Sequence, residues 1–149
     1  MVPEARQAKE YSFVRATTAS AADALPIAAQ VKAVEDGLPE TELTQLQDSL
    51  ALPADKLVPL LGLSKATFHR RKKAAGARLS PLVSDRVARF ALLLRQAIRV
   101  FGNRDDANKW LKAPQVGLGG AVPLDYAKTE VGVREVERLL GRIEHGVYA

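Results

Sequence analysis

Residues 65–78 carry six cations, Lys65, Arg70, Arg71, Lys72, Lys73 and Arg78, and no acid. Side chains of this type at this density hold a polyanion; they make and break no covalent bonds. Their frame is Pro53 to Ser64. Leu57, Val58, Leu60 and Leu61 give a short helix its apolar side, and Gly62-Leu63-Ser64 then breaks the chain sharply. Ser64 is a good N-cap for a second helix, running from Lys65 to about Ala75 and stopping at Gly76. Leu57, Leu61, Leu63 and Phe68 would pack the two helices across each other, with Gly62 free to take a positive φ in the turn.

These are the parts of a DNA-binding helix-turn-helix. Lys65, Ala66, Thr67, His69 and Arg70 fall near the front of the second helix and away from Phe68. They are the candidates for base edges, with arginine the best reader of guanine and Ala66 or Thr67 suited to a thymine methyl. Arg71, Lys72, Lys73 and Arg78 come later and are expected on phosphates. Ser64 joins them at the helix start, where backbone amides can hold a phosphate. A helical hairpin with a charged edge would share some of this pattern. The Gly-Leu-Ser break followed by an uninterrupted basic helix favours DNA.

Other chemistry has little material. The chain of 149 residues has no Cys and two His, which excludes disulfides and thiolate metal sites. Its carboxylates scatter singly, so no nucleophile, base and acid come together, and neither an enzyme nor a cofactor is expected. The longest apolar run, Phe90 to Leu94, is far short of the ~20 residues that span a bilayer. The first ten residues contain no apolar signal-peptide core, and a soluble cytoplasmic protein is expected.

The net charge of +5 is unevenly placed. Residues 1–60 are net −4, residues 61–104 net +10 and residues 105–149 net −1. A middle block of that strength suits nucleic acid, although a solvated basic helix face could also carry it.

Apolar residues recur at helical spacing and no sustained alternation suggests strands, so the chain reads as all-α. Residues 1–20 are polar and read as a mobile arm. Ile27, Ala28, Val31 and Val34 mark a helix over about 27–36, closed by Gly37. Leu43, Leu46 and Leu50 stripe the next. Ser80-Pro81 opens a long helix to Phe101, with Leu82, Val83, Val87, Phe90, Ala91, Leu94, Ile98 and Phe101 as its buried side. A short helix follows through Trp110-Leu111, whose Trp belongs by default in the core. Gly117 to Gly120 is a turn needing unhindered backbone. Asp125 and Thr129-Glu130 read as helix caps, and a last helix spans about Val131 to Glu144, with Val133, Val136, Leu140 and Ile143 inward. One helix-turn-helix reads few bases, so a homodimer on a palindrome is expected, through the 27–38 face or the long helix.

The final 70 residues carry an ordered series: Arg78-Leu79-Ser80, Ser84-Asp85-Arg86, Phe101-Gly102, Trp110-Leu111, Pro114, Leu118-Gly119-Gly120, Pro123-Leu124-Asp125, Thr129-Glu130, Gly132, Arg142-Ile143-Glu144 and Gly146-Val147-Tyr148. With the helix-turn-helix before it, this series resembles antitoxins of the Xre/MbcA/ParS type, partners of RES-domain toxins, over about residues 38–149. It departs from them at Leu82-Val83, where they tend to have an acid, and at Tyr126-Ala127, where they tend to have Leu-Leu. The resemblance implies an Xre-like DNA-binding domain, then a small helical toxin-binding domain. It implies operator binding that represses the protein's own operon, and neutralisation of an NAD-degrading toxin by blocking its active site. The expected units are an arm and short helix, 1–37; a DNA-binding domain with its long helix, 38–102; and a toxin-binding domain, 103–149. Glu130, Arg142, Glu144, Gly146, Val147, Tyr148 and Ala149 are the expected toxin contacts. Glu144 and the terminal carboxylate would meet basic groups that otherwise hold NAD phosphates, with Tyr148 as an aromatic anchor. A second reading is a stand-alone regulator whose C-terminal half senses a ligand or dimerises.

Overall fold

The computed structural model describes residues 11–20, 22–74 and 76–146. Its first element corrects the expectation of a mobile arm over residues 11–20; residues 1–10 of that arm lie outside the described residues. Phe13–Ala19 is a helix, α1, with Phe13 and Val14 wholly buried. Ser12 caps it, accepting from the Arg15 amide. A carboxylate thirty residues away completes the start: Glu42 accepts from Ser12 Oγ at 2.7 Å, the Phe13 amide at 2.6 Å and the Val14 amide at 3.3 Å. A helix start leaves unpaired donors and a partial positive charge, and a buried acid answers both.

The remaining helices lie close to where periodicity places them. They are α2 (Ile27–Asp36), α3 (Thr41–Leu50), α4 (Ala54–Leu61), α5 (Lys65–Lys73), α6 (Pro81–Phe101), α7 (Arg104–Lys112), α8 (Pro123–Tyr126) and α9 (Glu130–Glu144), with a 3₁₀ turn at Val116–Leu118. No strand forms among the described residues; a single bridge pairs Pro39 with Arg78. No helix among them is long and apolar enough to cross a membrane.

Helix α6 is the spine. Ser80 caps it by accepting from the Val83 amide, and its 21 residues run roughly 31 Å at 1.5 Å each. It packs on α1, α2, α3, α4, α7 and α9. Val83, Val87, Phe90, Ala91 and Leu94 are buried as expected, joined by Leu93 and Ala97. Leu82 is a correction: it is 62% exposed, because no described element covers that side of the first turn. Ile98 and Phe101 are half-buried, and Trp110 lies tilted against Phe101 with ring centres 5.6 Å apart.

Helix α7 ties the C-terminal part to the helix-turn-helix part. Asn108 donates to the Ser49 carbonyl at 2.9 Å and Lys112 to the Ala51 carbonyl at 2.8 Å. Both carbonyls stand at the C-terminal end of α3, where a cation is favoured by the helix dipole. Burial pushes the Lys112 ammonium below the usual lysine range.

Candidate nucleic-acid interface and C-terminal binding segment

Helix α4, the turn and α5 form as their residues require. Leu57, Leu61 and Phe68 are wholly buried, and Leu63 packs partly against them. Gly62 takes φ 67°, and a Cβ there would overlap the Arg86 guanidinium. That guanidinium donates to the Leu61 carbonyl at 3.0 Å and so closes the end of α4. Position 62 needs glycine twice over, for its backbone and for its neighbour. Ser64 caps α5, accepting from the Thr67 amide at 3.1 Å, while its hydroxyl donates to Thr67 Oγ1 at 2.8 Å.

The basic helix has two sides. Lys65, Ala66, His69, Arg70 and Lys73 are all exposed, and their spacing puts them on one face. Thr67 is half-buried beside the cap, and the His69 ring meets Phe68 edge-on, 5.8 Å between centres. The other side faces the protein. Arg71 lies 3.6 Å from the buried Glu40 carboxylate at the start of α3. Lys72 donates to Gln47 of α3 at 3.0 Å and sits 5.3 Å over the Phe68 ring. Arg78 donates to the Gly37 carbonyl at 2.8 Å. Arg71 and Arg78, expected on phosphates, thus have partners within the protein. They fasten the motif to α3 and to the end of α2. The signal for Arg71 was Glu40, an acid just ahead of Thr41 that later proves buried.

The middle block's remaining cations divide likewise. On α6, Arg89 reaches Asp85 at 3.5 Å, Glu130 at 3.4 Å and the Lys128 carbonyl at 3.0 Å. Arg99 meets Glu144 at 3.1 Å, and Gln96 donates to the Glu137 carbonyl at 3.0 Å. These contacts stitch α9 along α6. Burial, then the nearby Glu130 charge, push the Glu137 carboxyl above the usual range.

At the C-terminal end, Thr129 caps α9 as expected, accepting from the Gly132 amide at 3.0 Å. Asp125 is not a cap; it lies inside the first turn of α8, which Val122 precedes. Gly119 and Gly120 take φ 67° and 90°, as their turn requires. Glu130 pairs with Arg134 at 3.0 Å as well as with Arg89, so one expected contact has internal partners. Glu144 has one too, in Arg99. Arg142 is half-buried near the helix end, and Gly146 is exposed with φ 72°. Val147, Tyr148 and Ala149 lie outside the described residues.

The geometry thus separates a cationic helix face from a distinct C-terminal helical part. Known proteins divide the same way. Residues 29–92 match the antitoxin Xre-like helix-turn-helix domain, reaching back into α2. Residues 96–146 match the antitoxin Xre/MbcA/ParS C-terminal toxin-binding domain. Antitoxin Xre of Photorhabdus laumondii is 32% identical over 115 residues, 76% of this chain and 77% of that one. Antitoxin Xre of Yersinia enterocolitica is 32% identical over 132 residues, 77% of this chain and 88% of that one. A Sphingobium protein named Prs ADP-ribosylating antitoxin is 29% identical over 129 residues, 80% of each chain. The chain belongs to the Xre/MbcA/ParS family of antitoxins, with a helix-turn-helix domain and a C-terminal toxin-binding domain.

Proposed function

We propose that this antitoxin neutralises a RES-type, NAD-degrading toxin and represses its own operon by binding operator DNA. It acts by occupancy, without catalysis, in the cytoplasm. Residues 38–102 read DNA and residues 103–149 hold the toxin, with the helix end and tail, Arg142 to Ala149, entering the toxin's active-site cleft. The ADP-ribosylating label on the Sphingobium relative fits a toxin that handles NAD, because ADP-ribosyl transfer consumes it. The DNA contacts are Lys65, Ala66, His69, Arg70 and Lys73, with Ser64 and Thr67 at the helix start and Lys72 at its margin. The observation that carries this half is their exposure on one face while the neighbouring Arg71 faces the buried Glu40. The protein acts as a homodimer, with Ile27 and Val31 on α2 as the contact. Both are apolar and exposed, beside a groove of about 420 Å³ that Val34, Ala88 and Leu92 help to line.

Co-expression with the product of the adjoining reading frame tests the scheme. Removing residues 145–149 should abolish growth rescue and leave operator binding intact. Lys65→Ala with Arg70→Ala should do the reverse. Rescue that survives the deletion overturns the tail mechanism, and joint loss of both activities in either variant overturns separable faces.

A further inference from the structure

Val116, Tyr126 and Val131 are large apolar side chains left open to solvent, at 96%, 40% and 77% exposure. All three fall within residues 96–146, the stretch that matches the toxin-binding domain. None is there for the core. Val131 lies about 200° round α9 from Val133, at 100° per residue, while Val133, Val136 and Leu140 face inward. Val116 heads the 3₁₀ turn, whose buried residue is Leu118.

Two of the elements that carry them, the 3₁₀ turn and α8, pack on the third, α9. A Cβ on Gly132 would overlap the Tyr126 carbonyl oxygen, so the end of α8 lies directly on the first turn of α9, with Tyr126 and Val131 beside that crossing. A Cβ on Gly117 would stand 2.8 Å from Leu139, so the 3₁₀ turn lies along the same side of α9, seven residues further on. Isolated exposed valines are ordinary, but large apolar residues left exposed on three elements packed together mark a contact surface. Around it, Arg134 pairs with Glu130 and Arg138 with Glu135, giving an apolar centre with a mixed-charge border.

We infer that Val116, Tyr126 and Val131 form a second docking face for the toxin, separate from the tail. The inference rests on the reading of the chain as a toxin inhibitor. The partner's surface is apolar at its centre and polar at its edge. Helix α9 has 15 residues and is roughly 22 Å long; Val131 stands at its start and the tail beyond its end, with the Val116 turn beside Leu139 between them. A standard interface of about 800 Å² per partner is roughly 28 Å across and covers both the face and the tail. The tail would block the cleft while the face supplies residence time.

Binding is measured by calorimetry between the full chain and the purified toxin encoded beside it. Val131→Asp, Val116→Asp and Tyr126→Ala are made singly and together, with Leu82→Asp as an exposed apolar control on α6. An acid in a first helical turn is favoured by the dipole, so Val131→Asp spares the fold. Val131→Thr is the milder variant should melting show otherwise. The expected result is a Kd raised tenfold or more by Val131→Asp and further by the triple variant. Melting temperature and operator binding stay unchanged, and Leu82→Asp binds like the parent. A triple variant that binds like the parent overturns the face, and so does an equal loss in Leu82→Asp. If the tail deletion weakens binding while the triple variant does not, the face alone fails. If the parent does not bind, the toxin-inhibitor reading fails and the face with it.

Discussion

Arg70 and Arg71 are neighbours with opposite surroundings. Arg70 is exposed on the outer face of α5, whereas Arg71 points at Glu40, whose side chain is only 7% exposed. Arg71→Ala leaves that carboxylate buried without its cation, at a cost of about 1–3 kcal/mol. Arg70→Ala leaves stability as it was and weakens DNA binding. Urea denaturation beside a gel-shift titration separates the two, and equal stability in both variants would show that the Glu40 contact contributes nothing. Glu42 is placed to matter as much. It accepts three hydrogen bonds at the start of α1, two of them from backbone amides. Glu42→Ala should cost about 2–3 kcal/mol, since charged acceptors are the strong ones and the freed donors stay buried. Loss of α1 packing would show as faster amide exchange at Phe13 and Val14.

At the scale of the element, the turn between α4 and α5 is the most constrained. Gly62→Ala meets left-handed backbone and the Arg86 guanidinium together. The backbone costs about 1 kcal/mol. Displacing Arg86 from the Leu61 carbonyl costs about 1 kcal/mol more. A midpoint shift worth about 2 kcal/mol is expected in denaturant, with DNA affinity falling because α5 is re-aimed. Pairing Gly62→Ala with Arg86→Ala should recover part of the loss. This turn was legible in the sequence, as were α2 to α6 and the buried faces of α3 and α4, because capping and periodicity are local signals. Helix α1 was not legible. Its seven residues include Thr17 and Thr18, poor helix formers, and the acceptor that starts it lies on another helix. Leu82 failed for the converse reason: it sits at an apolar position that no described element covers. The exposed side of α5 could be read from the position of Phe68. The contacts of Arg71 with Glu40 and of Arg78 with the Gly37 carbonyl could not, because those partners come from elsewhere in the chain.

Across the whole molecule, the +10 of residues 61–104 is not one field. Arg89 and Arg99 spend their charge on Glu130 and Glu144, holding α9 to α6, while Lys65, Arg70 and Lys73 face outward together. Salt dependence tells these roles apart. Each phosphate contact adds about 0.9 to the slope of log affinity against log salt. Lys65→Ala or Lys73→Ala should lower the slope by about 0.9 if one chain binds the operator, and by about 1.8 if two do, so one titration series also counts chains on the DNA. Arg89→Ala and Arg99→Ala should leave the slope alone and instead lower the melting temperature, only slightly for Arg99, whose pair is largely solvent-exposed, and more for Arg89, whose side chain is mostly buried. Should Arg89→Ala flatten the slope as much as Lys65→Ala, the DNA would have to lie along α6. The face of α5 would then no longer account for binding.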